Sequence, residues 1–304
     1  MTRQLEYVRQ VTRCPVCSGA LHWSALDVVC EACRTRFERV GDTPLLIAGA
    51  VVRRGAGRED AGLMQLVPRQ LRGAAARSRR FIRPSLVHRS RATRSLTGDF
   101  VASFEPGAWI LNVGAGSREY GDRVVNLDVV AATGIHVVGV AERLPFRDEA
   151  FDGVIFQAVL EHVRDARAAL SEILRVLRSN GAVFVEVPFI QGYHAAPQDH
   201  RRFTERGLQL ELEQHGFVVD DTGIAVGPAS AMAWITGEFL ALLLSGRSGR
   251  VYRFVRLATD WLAWPIKWAD AWLDTHEMAH IIASGVWARA HRPAEPRQVA
   301  EGER

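Results

Sequence analysis

From residue 108 onward the chain alternates short apolar runs with stretches of helical periodicity. Residues 109–113, 124–129, 136–140 and 151–156 read as buried strands, each too short for a helix and rich in Val, Ile, Leu or Phe. Asp165 then caps a predicted helix. Its apolar positions Ala166, Leu170, Ile173, Leu174 and Leu177 recur every three or four residues, and Asn180-Gly181 ends it. Residues 182–187 form the next strand, residues 204–215 a helix stopped by Gly216, and residues 217–226 and 281–290 the last two strands. Such alternation predicts an α/β fold with a mostly parallel sheet covered on both faces. No internal repeat is visible.

The stretch between the last two strands has a different pattern. Residues 229–244 are almost wholly apolar, broken by Thr236, Gly237 and Glu238, and are too short and interrupted for a membrane span. Arg247, Arg250, Arg253 and Arg256 follow. Then Trp261, Trp264, Trp268 and Trp272 recur at helical spacing. One helix is expected, with the tryptophans on one face and Asp260, Lys267, Asp270 and Asp274 on another; Pro265 is a possible kink. The stripe suits either a packed helix or a membrane surface, where tryptophan and arginine favour the interface.

Composition narrows the class. The 304 residues are 48% hydrophobic and 24% charged. This excludes a wholly disordered chain, a collagen-like chain and a multi-span membrane protein, and it suits one large or two modest domains. Net charge is +4, and Lys267 is the single lysine among 38 basic residues. The charge is segregated. Residues 51–98 hold twelve arginines against Glu59 and Asp60, a surplus of +10 that leaves −6 for the rest. This Gly-, Ala- and Arg-rich run reads as a linker with a short helix over 63–71. It suits a solvated linker, a lipid-surface contact or an RNA contact; Phe81 is its only aromatic, which weakens base stacking.

All four cysteines lie at Cys14, Cys17, Cys30 and Cys33, two C-x2-C knuckles twelve residues apart. The pattern reads as one tetrahedral zinc site, with a short hairpin over 21–29 between the knuckles. Two disulfides or a redox pair are the alternative. The chain opens Met-Thr-Arg without an apolar leader, so a reducing, cytoplasmic setting is expected.

The first strand of the sheet ends in Asn112-Val113-Gly114-Ala115-Gly116-Ser117, and Asp128 closes the next. Glycines allow a sharp turn beside a ligand at the carboxyl end of the sheet. An acid at a strand end is placed to hold ribose hydroxyls. Glu119 stands where a dinucleotide fingerprint needs its third glycine. An adenosine-containing ligand is therefore expected.

Leu111-Asn-Val-Gly-Ala-Gly116, Asn126-Leu-Asp128, Ala141-Glu-Arg-Leu-Pro-Phe146, Phe151-Asp152, Val159-Leu-Glu-His162 and Arg175-Val-Leu-Arg178 stand in the order seen in class I S-adenosylmethionine-dependent methyltransferases, and the chain resembles their type 11 branch over residues 108–227. The run from Tyr193 to Thr204 and Val226-Gly-Pro-Ala-Ser230 look like a subgroup associated with glycan or lipid-linked sugar biosynthesis. The ribbon from Cys14-Pro-Val-Cys17 to Gly41-Asp-Thr-Pro-Leu45 is similar to that of a tRNA methyltransferase activator subunit.

The resemblance implies a Rossmann-like, doubly wound sheet of seven strands with the last one reversed, a zinc ribbon at 10–48, a basic linker at 49–94 and a methyltransferase domain at 95–292. Residues 229–275 would be a helical insertion and 293–304 a disordered tail. It places Asn112, Gly114, Ala115 and Gly116 along the methionine part of the cofactor and Asp128 on the ribose. Ala141 and Glu142 would lie along the adenine, with Gln157 and Ala158 beside the sulfonium. His194, Asp199 and His200 are the candidate bases for a hydroxyl acceptor, and Tyr193 could shape its pocket. His162 is expected to be structural, and Glu161 and Arg164 to be a solvated or locally paired helix start. Arg201 and Arg202 suit an anionic substrate or a pair with Asp199 or Glu205.

Three departures stand out. Val140 replaces an adenine-contacting acid, Ser179-Asn180-Gly181 replaces Pro-Gly-Gly, and the interval from Gly116 to Asp128 leaves little room for a first helix. The expected reaction is methyl transfer to oxygen on a sugar, lipid-linked glycan or other small molecule, with residues 229–275 covering the acceptor or resting on the inner membrane face. RNA methylation through the ribbon and basic run, or cofactor binding without turnover, are the alternatives.

Overall fold

The structure, a computed structural model, describes residues 2–24, 26–47, 84–194 and 198–294. The expected helix at 63–71, most of the arginine-rich run and all but the first two residues of the expected tail lie outside the described residues.

Helix α1 (Arg3–Val11) opens the chain, capped by Thr2. A four-stranded antiparallel ribbon follows: β1 (Leu21–Trp23), β2 (Asp27–Cys30), β3 (Arg36–Val40) and β4 (Thr43–Pro44). After the linker come α2 (Arg91–Arg94), α3 (Leu96–Ala102), β5 (Ile110–Val113), β6 (Val124–Asp128), β7 (Val137–Val138) and β8 (Phe151–Gln157). Then come α4 (Ala166–Val176), β9 (Leu177–Pro188), α5 (Glu205–Gln214) and β10 (Val218–Val226). The insertion holds α6 (Pro228–Ser245), α7 (Gly249–Ala263), a 3-10 turn (Trp264–Ala269), α8 (Asp270–Leu273) and a second 3-10 turn (Ala279–Ile282), and β11 (Gly285–His291) closes the sheet.

The seven strands run in the order β10-β11-β9-β8-β5-β6-β7. β5 to β9 are parallel, and β11 is antiparallel to both neighbours. The expected Rossmann-like sheet with a reversed last strand is therefore present. Side chains alternate between its faces. Ile110, Val124, Ile155 and Phe184 pack with Phe100 and Val101 of α3. Leu111, Val125, Val154 and Val183 pack on the other face with α1, α4 and α5. The motif pair Asp152 and Arg178 is structural: the carboxylate takes two bonds from Arg178 at 2.6 and 2.7 Å and one from the Trp109 N–H at 2.8 Å.

The ribbon is not a separate body. Tyr7 stacks on Trp109 at 4.0 Å, and Tyr7, Val8, Cys14, Cys30 and Phe37 belong to the same hydrophobic cluster as the sheet. Arg13 N–H donates to Pro145 O at 3.0 Å, and Leu45 pairs in parallel with Val138, extending the sheet past β7. That contact covers an edge that would otherwise offer free backbone groups.

Three elements depart from their expected form. β9 starts at Leu177, not at 182, because Leu177 pairs with Phe151 and the strand passes through Asn180 at φ +61°. The last strand starts at Gly285; Ile281 and Ile282 sit in an exposed 3-10 turn instead. The tryptophan helix breaks at Ala263 because Pro265 lacks the N–H an α-helix needs, and a 3-10 turn replaces it.

Candidate active site

The carboxyl ends of β5 and β6 meet at the glycine turn. Gly114 and Ala115 both donate to Leu127 O, at 2.8 and 3.1 Å. Gly114 adopts φ +68°, and a Cβ there would fall 2.3 Å from Val159 Cγ2, so only glycine fits. Gly116, at φ +58°, has nothing within 4 Å of its absent Cβ; it is an open cradle. Its N–H donates to Asp128 Oδ2 at 2.8 Å, and Val130 N–H donates to Oδ1 at 3.1 Å. Ala115 is buried with Leu45, Ile135 and Val138. Asn112 lies deeper, its amide donating to Asn126 Oδ1 at 3.0 Å across the register pair. Residues 114–123 cross to β6 without a helix. The short interval therefore leaves no helix N-terminus to supply a field there.

Ala141 and Glu142 form the turn after β7, between the bridged Val140 and Arg143. Glu142 Oε1 accepts the Arg164 N–H at 3.3 Å. At the end of β8, Gln157 is buried and joins a polar chain across the sheet. Tyr120 Oη donates to its Oε1 at 3.2 Å, and its Nε2 donates to Glu186 Oε2 at 2.6 Å. Glu186 is paired in turn with Arg89, 3.1 Å from Oε2 to Nη1. Ala158 follows, exposed and at φ +56°. A non-glycine residue in this region marks strain held at a site. An open glycine cradle, a strand-end acid and an exposed strained alanine together fit a nucleoside-bearing cofactor.

The loop after β9 folds over the turn after β8. His200 N–H donates to Glu161 O at 2.8 Å, and His162 Nδ1 faces Gln198 O at 2.5 Å. The rings of His162 and His194 meet edge to face at 5.2 Å. Asp199 accepts the His194 N–H at 2.8 Å and is clamped by Arg202. Burial alone would push the Asp199 carboxyl up, but Arg202 and the His194 N–H outweigh it and hold it below its usual value. The His200 side chain and Tyr193 are exposed. Arg202 takes the expected pairing with Asp199, while Arg201 donates to Val163 O and Arg164 O, at 2.7 and 3.0 Å.

Of the two expectations for Glu161, a solvated or a locally paired helix start, the first is wrong; its Oε1 lies 3.7 Å from the neighbouring His162 Nε2. Glu161 is 0% exposed, sits in a turn, and neither carboxylate oxygen has a hydrogen-bond partner. Burial pushes its carboxyl up to about 8. Burial also lowers the pKa of His162. Ligand atoms of Glu161, His162 and His194 lie within 4.8 Å of one another. Sequence reading missed Glu186 and Arg89 and did not expect Glu161 to be buried. Glu161 carried one signal, its place between the apolar Leu160 and Val163.

The four cysteine sulfurs also converge within 4.8 Å. Cys14 and Cys33 are 3.7 Å apart and Cys17 and Cys30 3.4 Å. The knuckles repeat one geometry: Ser18 N–H to Cys14 O at 2.8 Å, Arg34 N–H to Cys30 O at 3.1 Å, and Ser18 and Arg34 both left-handed. Four thiols around one point form a donor set suited to a tetrahedral ion.

Residues 116–185 match a family described as "Methyltransferase domain". The chain is 38% identical over 96 residues to the ubiquinone/menaquinone biosynthesis C-methyltransferase UbiE of Haemophilus ducreyi, covering 29% of this chain and 37% of that protein. Against UbiE of Desulfotalea psychrophila the identity is 29% over 140 residues, 42% of this chain and 52% of that one. The chain thus matches about a third to a half of these curated relatives. A solved 1,6-didemethyltoxoflavin-N1-methyltransferase of Burkholderia thailandensis aligns over 90% of this chain and 99% of its own, with 15% identity and a TM-score of 0.41. The sequence matches thus place a region similar to a methyltransferase domain at residues 116–185, at the carboxyl ends of β5, β6 and β8.

Glu161 makes a pH prediction. Unfolded, it loses its proton near 4.5; folded, it keeps it to about 8. The native state holds more protons across that window, so this contribution is complete below about 4.5 and is lost as pH rises through about 8. Thermal melts of Glu161→Gln should therefore lose less stability over that pH range than the wild type. Parallel curves would show that the carboxyl is not shifted.

Proposed function

We propose that the chain transfers a methyl group from S-adenosylmethionine to an oxygen of a sugar, a lipid-linked glycan or another small molecule. One observation carries this reading: the loop after β9 is docked on the turn after β8, which sets His194 against His162, four residues beyond the exposed Ala158. The cofactor supplies an electrophilic methyl carbon on a sulfonium. Backbone carbonyls of the Gly114–Gly116 turn and the carboxylate of Asp128 would hold it, with Ala141 and Glu142 toward the base. Positioning alone contributes on the order of 7–11 kcal/mol when reacting atoms are held near contact.

His194 is placed to take the acceptor's proton. Its Nδ1 lies 3.2 Å from Gly192 O, 3.7 Å from Asp199 Oδ2 and 3.4 Å from the donor Arg202 Nη2; a proton on Nδ1 given to the nearer Gly192 O would leave Nε2 to act as the base. Asp199 acts through His194 and is a positioning residue. Glu161, neutral below about 8, can donate a hydrogen bond rather than compete as a base. The curated relatives are named as C-methyltransferases of quinone biosynthesis, so carbon is the competing acceptor atom.

The proposed ribbon ion is zinc, held by Cys14, Cys17, Cys30 and Cys33. Because Cys14 and Cys30 share the core of the sheet, the ion would support the whole chain. Chelation should lower the melting temperature in a single transition and release zinc stoichiometrically. A zinc-free protein with unchanged melting would remove the metal.

The reaction is tested by labelled methyl transfer from S-adenosylmethionine into separated lipid, small-molecule and RNA extracts. Label should enter the lipid or small-molecule fraction and leave as methyl iodide under hydriodic acid, which marks an ether. His194→Ala should slow transfer by about 10²–10⁴-fold. Label held through the acid treatment would point to carbon, label in RNA to the ribbon and basic run as an RNA-binding device, and cofactor binding without transfer to a non-catalytic protein.

A further inference from the structure

The helical insertion is built inside out. A helix that packs on a soluble domain turns its apolar stripe inward and its charges toward water. Here Asp260, Lys267, Asp270 and Asp274, expected on one helix face, are buried, and Asp260 and Asp270 are 0% exposed. Arg256 joins them, paired with Asp260 and, at 3.0 Å, with Glu238. Lys267 Nζ donates to Ser85 O at 2.5 Å. Asp270 accepts the N–H groups of Ala229 and Ser230 at 2.7 and 2.8 Å, capping the start of α6. Buried charges are tolerated when partnered in this way; Asp274, whose carboxylate has no hydrogen-bond partner among the described residues, is the exception.

The outer side is apolar. Phe254 is 77% exposed, Trp272 73% and Leu262 70%, and Phe239, Leu243 and Trp268 are at least half exposed. Single exposed apolar residues are ordinary, but a large set carried by the α6–α7 hairpin and the turns that follow it marks an interaction surface. Around the α6–α7 turn its polar rim is basic: Arg247, Arg250 and Arg253 are exposed and make no ion pair among the described residues, while the exposed acid of the insertion, Glu277, lies at its far end. Helix α6 has the length and hydropathy of a span, 18 residues at a mean of 1.3, but 44% of it is buried and its first turn is fixed to Asp270. With that much of it packed on the protein, α6 is half a core helix and half an exposed apolar face.

We propose that this hairpin docks the protein on an anionic lipid bilayer. The apolar face would enter the headgroup–acyl boundary, with the tryptophans at the interface and the three arginines on lipid phosphates. Docking stands independently of the methyl-transfer reading, yet the inner side of α6, opposite the exposed face, adjoins its site. Gly192, two residues before His194, approaches Trp234 of α6 so closely that a Cβ would fall 2.6 Å from Nε1. The rings of His194 and Trp234 are 5.7 Å apart.

Flotation of the full chain with phosphatidylcholine vesicles, with and without phosphatidylglycerol, tests the docking. The wild type should float with the anionic vesicles, binding about a hundredfold more tightly than to phosphatidylcholine alone. Combined Arg247→Gln, Arg250→Gln and Arg253→Gln should erase that preference. Phe254→Glu with Leu262→Glu should abolish flotation while calorimetry with S-adenosylmethionine and circular dichroism stay at wild-type values. Brominated lipid should quench wild-type tryptophan fluorescence, a readout that needs no variant. A wild type that stays unfloated and unquenched, or that light scattering shows to bury the face in a dimer, would overturn the proposal.

Discussion

A single carboxylate at the end of β6 holds the site open. Asp128 accepts N–H groups from Gly116 and Val130, so the turns that leave β5 and β6 are tied to one side chain. Parallel strands end with their turns on the same edge, and their connections must otherwise diverge. Here the connection from β5 to β6 has no helix to set its path, and Asp128 replaces that support. The glycines follow from the same constraint. Val159 fills the space beneath Gly114, and the open side of Gly116 is where a ligand can reach the backbone.

The second half of the site is held by longer-range contacts. Gln157, Glu186 and Arg89 link the carboxyl ends of β8 and β9 to the segment before α2. That same segment reaches the insertion through Ser85 and through His88, whose N–H donates to Ser230 Oγ at 2.9 Å. The cofactor edge, the loop that carries His194 and the inverted hairpin thus form one connected structure. A lipid-linked acceptor would be the economical reason to join a transfer site to an apolar outer face.

Much of this was legible in the sequence. Strand runs, the Asp165 cap and the helix expected over 204–215 each depend on local pattern, and each lies within a few residues of its expected place. What the sequence hid depends on which side of an element faces inward. Tryptophan spacing showed a stripe, and Arg256 with Asp260 is a local pair on α7, but periodicity cannot say that this pair and Asp270 would be the buried side, because Glu238 and the α6 N-terminus reach them through tertiary packing. Glu161 was hidden for the same reason: Glu-His-Val-Arg-Asp reads locally as a helix start, and only the loop after β9 encloses it. Arg89 looked like one charge in a basic run, yet it is the internal partner of Glu186.

Calorimetric titration with S-adenosylmethionine tests the central claim most directly. The account predicts saturable binding to the wild type and a loss of about ten- to a hundredfold in Asp128→Ala, the range for hydrogen bonds to a charged group. Equal affinity in the two proteins, or no binding to the wild type, would contradict it.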